Sequence, residues 1–329
     1  MSDPASGGAS ATAQWYDRFA RLEARGQSRV YEELSSGVAR DFRVLALIDE
    51  LPRLRRQPNL VLACSRLLGA PLGSYKEWSD WLVENWPAVR AEAEVRLTQT
   101  NEARRCAVLL PALAAIEGPL ALLEVGTSAG LCLYPDRYSY DYDGSLLHPA
   151  DGPSSVLLEC TTNGAPPERM PEIVWRAGSD LHPLDVTSAD DARWLETLVW
   201  PEQHERRERL VAAMRIVAAD PPLLRQGDVN DVLSLAAEAP ADATLVVISS
   251  GVLVYLVRAE RDAFAATVRG MDATWLSLEA AGLFPVVADG IRAARGLDAP
   301  DALDGRFALS VNQQPRALVG PHGQFIDWL

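Results

Sequence analysis

The chain has almost no lysine: among 31 basic residues only Lys76 is not arginine, and 45 acidic residues leave a formal charge of −14. An acidic field with no basic cluster large enough to offset it repels polyanions, so no nucleic-acid partner is expected. Cysteine is scarce. Cys64, Cys106, Cys132 and Cys160 lie apart in apolar stretches such as LVLAC and VLLEC, without CxxC spacing, and read as buried free thiols. His148, His182, His204 and His322 form no HxxxH or HExxH pair, so no metal site is expected. No apolar run reaches the roughly 18 residues of a spanning helix. Met1 to Ala13 also lacks the basic and apolar regions of a signal peptide. The expectation is a cytoplasmic protein without a membrane partner.

What is present is enough apolar residue, 48% of 329, for one large core or two moderate ones. Residues 1–118 read as a helical cap. QWYDRFARLEARG places Trp15, Phe19 and Leu22 on one stripe, and SRVYEELSSGVARD, NLVLACSRLLG and KEWSDWLVENWPAVRAEAEV continue the helical period. Pro87 reads as a kink or boundary. From Gly118 short apolar strands alternate with amphipathic helices, the grammar of a parallel sheet. LALLEVG, RYSYDYD, PLLRQGD, TLVVISSG and ATWLSLE are its strands, and GRFALSVN with RALVGPHGQFIDWL an antiparallel C-terminal hairpin. The stretch 144–203 reads as a lid-like insertion, its VLLEC, EIVWRAG and DARWLETLVWP too apolar for disorder. The expected fold class is α/β, a Rossmann-like sheet of seven mostly parallel strands over 119–329 with the helical cap before it.

The segment Glu124-Val125-Gly126-Thr127-Ser128-Ala129-Gly130 follows an apolar strand, where glycine permits a tight turn and close approach of a ligand. Ser128 and Leu131 stand where a dinucleotide fingerprint needs glycine, and no GK[ST] follows for a phosphate loop. The ExGxxxG turn of class I S-adenosylmethionine-dependent methyltransferases does fit. Asp143, ending the second strand, is the candidate acceptor for ribose hydroxyls, and Asp228, ending the third, for an adenine amine. Tight-turn glycines and loop-capping aspartates are the plainer reading of each element alone.

The segments TQTNEARRCAVLLPAL, LLEVGTSAGLCL with DRYSYDY, DLHPLDVTSADDARWLETLVWPEQHERRERLVAAM and GPHGQFIDWL resemble the bacterial domain-of-unknown-function 2332 family over nearly the whole chain. Ser128 and Gly130 match that family's pattern, whereas Cys132 stands where it has asparagine. The resemblance implies a methyltransferase-like fold and no particular reaction.

Asn101, Glu102 and Arg105 open the helix before the first strand and are candidate substrate contacts, although an N-cap explains one or two. Ser249, placed with the cofactor, and Ser250 and Tyr255 as candidate catalytic groups follow the fourth strand, where no Asn-Pro-Pro-Tyr motif occurs. Glu279 and His322 read as a solvated strand-end carboxylate and a turn histidine. The cap offers Asp49, at the unfavourable end of a helix dipole, and Ser79. In the insertion, Asp180 to Asp185 near Trp194 and Trp200 resembles a substrate wall, and Arg206 and Arg209 suit pairing with Glu202 or Glu205. Methyl transfer from S-adenosylmethionine to a small molecule is the leading expectation. A lyase or cyclase on the same fold, and a silent subunit bound to a protein partner, are its rivals.

Overall fold

The structure, a computed structural model, describes residues 10–296, 303 and 305–329; the stretch read above for a leader lies, up to Ala9, outside the described residues. The chain forms two compact units, one of residues 1–100 with 189–208, the other of residues 101–188 with 209–329.

The first unit is helical: α1 (Ala11–Phe19), α2 (Arg29–Val38), α3 (Phe42–Ile48), α4 (Pro58–Leu67) and α5 (Tyr75–Val95). Their starts are written in the sequence. Ser10 accepts from Ala13 N–H, Ser28 from Tyr31 N–H and Asp41 from Arg43 N–H, while Ser74 and Glu77 form a reciprocal capping box. The expected Trp15–Phe19–Leu22 stripe is corrected. After Phe19 the chain widens into a π turn over Ala20–Ala24, so the buried face runs Ala13, Tyr16, Phe19, Ala20, Ala24 and leaves Leu22 73% exposed. Pro87 is neither a boundary nor an end, since α5 continues through it to Val95.

The second unit opens with α6 (Arg105–Ala114) and holds the strands β1 (Pro119–Val125), β2 (Ser139–Tyr142), β3 (Ser145–Leu147), β4 (Leu157–Thr162), β5 (Glu172–Asp180), β6 (Leu223–Gln226), β7 (Thr244–Ser250), β8 (Thr274–Ala280), β9 (Phe307–Val311), β10 (Gln314–Val319) and β11 (Phe325–Trp328). Between β5 and β6 run α7 (Ala189–Leu198), which belongs to the first unit, and α8 (His204–Ala219), whose residues from Arg209 belong to the second. α9 (Val232–Ala236), α10 (Arg258–Arg269) and α11 (Pro285–Arg295) alternate with the later strands.

The fold is mixed α/β with one large, mostly parallel sheet, in the order β3-β2-β4-β11-β10-β9-β8-β7-β1-β5-β6. Eleven strands replace the seven expected, because 144–180 is not a lid and the last segment divides into β10 and β11. The former supplies β3, β4 and β5, and β5 lies directly beside β1 in parallel register from Pro119–Glu172 to Val125–Ser179. β7 flanks β1 on the other side, and β8 and β6 extend the parallel core outward. β1 is buried from Leu120 to Val125, as its unbroken apolar run requires of a strand covered on both faces. Val125, Val247, Phe264, Trp275 and Phe284 share one core, with the Trp275 ring edge-on to both phenylalanines. β9 and β10 form the expected antiparallel hairpin, turned by Asn312 and Gln313 at positive φ.

Candidate functional site

The chain leaves β1 to supply β5 and β6 on one side and β7 and β8 on the other, so the direction of strand addition reverses at β1. Ligands of open α/β sheets bind outside the carboxyl ends of strands at such a point. The glycine turn stands there. Gly126, Ser128 and Gly130 all adopt positive φ (69°, 53° and 75°), strained for Ser128 alone. Gly126 and Thr127 N–H donate to Ser179 O at 2.8 and 3.2 Å, and Ser128 N–H donates to Asp180 Oδ2 at 2.8 Å. Asp180 Oδ1 accepts from His182 N–H at 2.8 Å. Asn101 fastens the other side, Nδ2 donating to Ser128 Oγ at 2.7 Å and Oδ1 accepting from Ala129 N–H at 3.3 Å. The absent side chain of Gly126 makes room for Val252, and that of Gly178 for Thr127.

Two buried acids lie at these strand ends. Glu124 Oε2 accepts from Thr127 Oγ at 2.9 Å, and burial pushes its carboxyl up to about 8 against the opposing pull of that bond and of Arg105. Glu279 is not the solvated group expected: it is 3% exposed, and Oε1 accepts from Val252 and Leu253 N–H at 3.2 Å each. Its Oε2 is buried without a hydrogen-bond partner, and burial raises its carboxyl to about 7. Arg105 donates from Nη1 to Ser250 O at 2.8 Å and to Ser250 Oγ at 3.3 Å, and from Nε to Pro321 O at 3.0 Å. Glu102 makes a two-point ion pair with Arg209, at 3.0 and 3.2 Å. The expected pairing of Arg209 with Glu202 or Glu205 is thereby replaced, while Arg206 Nη1 donates to Gln203 Oε1 at 3.1 Å.

Asp143 does not join this group. It and Gly144 are the two residues between β2 and β3, both at positive φ (52° and 91°), the demand of a tight hairpin turn. Its carboxylate accepts from Thr162 N–H at 2.7 Å, and six strands separate β2 from β1 in the sheet order. The acid beside the glycine turn is Asp180. Asp228 follows β6, where its side chain caps Asn230 N–H at 2.6 Å. Ser249 is fully buried, its Oγ accepting from Trp275 Nε1 at 3.1 Å, and Tyr255 is 83% exposed. In the first unit, Ser79 Oγ donates to Lys76 O within α5, and Asp49 accepts from Thr12 and Arg56.

The chemistry these groups allow is acceptance of hydrogen bonds and positive charge at Asp180 and Asp228 and proton exchange at Glu124 and Glu279, with Arg105 as the buried cation among them. Beside the turn an opening of about 400 Å³ is lined by Ala129, Pro183, Leu184, Val186, Pro222 and Leu224. Leu184 N–H donates to Ser128 O at 3.2 Å and draws that loop onto the turn. Asp180, read from the sequence as the start of a substrate wall, stands at the glycine turn itself, and its place after AGS at the end of an apolar segment was the signal that it ends a strand. Glu279, read as solvated, was not recognised as a member of the site.

Among the described residues, no helix is long and apolar enough to cross a membrane. No curated protein matches the chain. The family model DUF2332, described as an uncharacterized protein conserved in bacteria, matches residues 13–328. That match takes in the helices of the first unit, the glycine turn, the Asp180 strand end and the last strand, and the chain belongs to the DUF2332 family.

Proposed function

We propose that the second unit is a methyltransferase-like domain that binds S-adenosylmethionine at the carboxyl ends of β5, β1 and β6 and transfers its methyl group to a small molecule. The observation that carries this reading is Asp180: a carboxylate on the strand next to β1, hydrogen-bonded to the backbone of a glycine turn at the point where strand order reverses. The set also suits the ligand's charge. Asp180 and Asp228 favour a sulfonium with hydroxyl and amine donors and disfavour a polyphosphate. Asp180 would hold the ribose hydroxyls in the role first expected of Asp143, and Asp228 the adenine amine. Gly126, closed over by Val252, serves the chain's own packing rather than a ligand.

When bound, the sulfonium supplies an activated methyl carbon, so the protein's work is alignment and exclusion of water. Arg105 fixes the Ser250 end of β7 through its carbonyl and hydroxyl. Glu279 Oε2, with a carboxyl near 7, can take the proton an acceptor hydroxyl or amine gives up.

A second reading draws on the same two acids. Glu124 and Glu279, at about 8 and about 7, lie above and at neutrality, poised as acid and base for chemistry that needs no methyl donor, as a lyase or cyclase would use. Calorimetric titration with S-adenosylmethionine and S-adenosylhomocysteine separates the two. Saturable binding is expected, weakened at least about tenfold in Asp180→Ala by loss of charge-assisted hydrogen bonds and unchanged in Asp143→Ala. No heat with either ligand, in protein with a native circular-dichroism spectrum, rejects methyl transfer and leaves the acid–base reading.

A further inference from the structure

In the first unit an open groove of about 930 Å³ runs between α1 and the segment Arg53–Arg56, bordered by Thr12, Trp15, Arg18, Arg53, Leu54 and Arg56. Its charge runs against that of the chain: three guanidinium groups gather here although the net charge is −14. Arg56 and Asp49 neutralise each other on one side of it. Arg56 Nη1 donates to Asp49 Oδ1 at 2.7 Å, its other nitrogens bond Asp49 O and Leu51 O, each at 2.7 Å, and Thr12 Oγ donates to the same Asp49 oxygen at 2.6 Å. Asp49, a catalytic candidate from the sequence, is thus a strut holding α1 to the groove's other wall.

Arg18 and Arg53 differ. Neither makes a hydrogen bond or a close ion pair among the described residues, Glu23 attracting Arg18 only at longer range, and both are exposed. Apolar surface shares the groove with them, with Leu54 83% and Trp15 36% exposed. Single exposed leucines are ordinary, but an exposed indole and leucine beside two unpaired cations present both halves of an amphipathic contact. The volume falls within the range of small-molecule sites.

We propose that this groove is a binding site for a small amphipathic anion, an aromatic or acyl carboxylate or sulfonate, whose charge is taken by Arg18 and Arg53 and whose apolar body rests on Trp15 and Leu54. The site is separate from the strand-end acids, which repel the same ligand, and it does not depend on methyl transfer.

Fluorescence titration of the full chain with anilinonaphthalene sulfonate tests it, with the uncharged phenylnaphthylamine as the matched neutral probe. The sulfonate should bind saturably at one site and at least about tenfold more tightly than the neutral probe. In the Arg18→Ala/Arg53→Ala double variant its affinity should fall by at least about tenfold, because both substitutions remove the cationic donors at exposed positions and leave the core intact. Trp15→Ala should weaken both probes. Equal affinity for the two probes, or sulfonate affinity that survives the double substitution, would overturn the proposal. So would failure of the soluble probe to bind while the protein sediments with vesicles of anionic phospholipid, which would make the groove a membrane contact instead.

Discussion

Glu124 and Glu279 close β1 and β8 with carboxyls that burial has made hard to ionise, and this fixes how they act on stability. In the unfolded chain each ionises near its ordinary value of 4.5, whereas in the folded chain they do so at about 8 and about 7. Between those limits the native state holds protons that the unfolded chain has released, so the free energy of unfolding falls as pH rises. The contribution is full below about pH 4.5 and is lost as pH climbs through 7 and then 8. Urea unfolding followed from about pH 5 to about pH 8.5 should therefore show a declining midpoint, by at most about 1.4 kcal/mol per pH unit for each carboxyl. Glu124→Gln should remove most of the decline, because the amide still accepts from Thr127 and never ionises. A slope unchanged in that variant would mean that water reaches the carboxylate. Glu279→Gln should remove a smaller part, since two backbone donors already offset some of its burial.

At the scale of elements, the C-terminal GPHG turn is a clamp on α6. Arg104 Nε donates to His322 O at 3.2 Å, Arg105 Nε to Pro321 O at 3.0 Å, and Gly323 at φ 78° lies against the Arg104 carbonyl. A Cβ on Gly323 would overlap that backbone oxygen, which cannot swing aside as a side chain can. Gly323→Ala should lower the melting temperature by well over the few degrees of a surface change, to which strain at positive φ adds about 1 kcal/mol or more. An alanine variant as stable as the parent would show that the turn is free to move away from α6.

The sequence shows such local demands plainly and shows strand neighbours badly. β1 and β7 were legible as apolar runs and β8 by its Trp275, Leu276 and Leu278, and the glycine turn by its place directly after a strand. β5 was hidden, because only Ala177 to Ser179 are fully buried within it and prolines and glycines precede it. The misplacement of Asp143 has the same origin. Consecutive strands usually pair, but here the chain departs after β1 to build β2, β3 and β4 at the far end of the sheet before returning as β5. The Asp143-Gly144 dipeptide carried its own meaning, that of a hairpin turn, and the acid of the site came from the next strand to reach β1.

For the molecule as a whole, the first unit is assembled from segments far apart in the chain, since its helices up to Val95 close only around residues 189–208. Trp194, 1% exposed, donates from Nε1 to Leu97 O at 3.1 Å under the Arg96 guanidinium, 5.0 Å from the ring centre. Trp200 donates to Asn59 Oδ1 at 3.0 Å and packs its ring 5.8 Å from Phe19 and 5.6 Å from Tyr31. Glu202 accepts from Ser28 Oγ at 2.6 Å and Val30 N–H at 2.8 Å, and Arg66 donates to Val199 O at 2.6 Å. One short segment therefore meets α1, α2, α4 and the end of α5, and its tryptophans fill space those helices leave between them. Trp194→Ala should cost about 3 to 5 kcal/mol, the ordinary range for removing a large core aromatic, and Trp200→Ala, at a part-buried position, less. Hydrogen exchange read peptide by peptide should place the loss of protection in α2, α4 and α5, although no substituted residue lies in them. If those helices keep their full protection in both variants, residues 10–100 hold their fold unaided and the returning segment only rests on a finished surface.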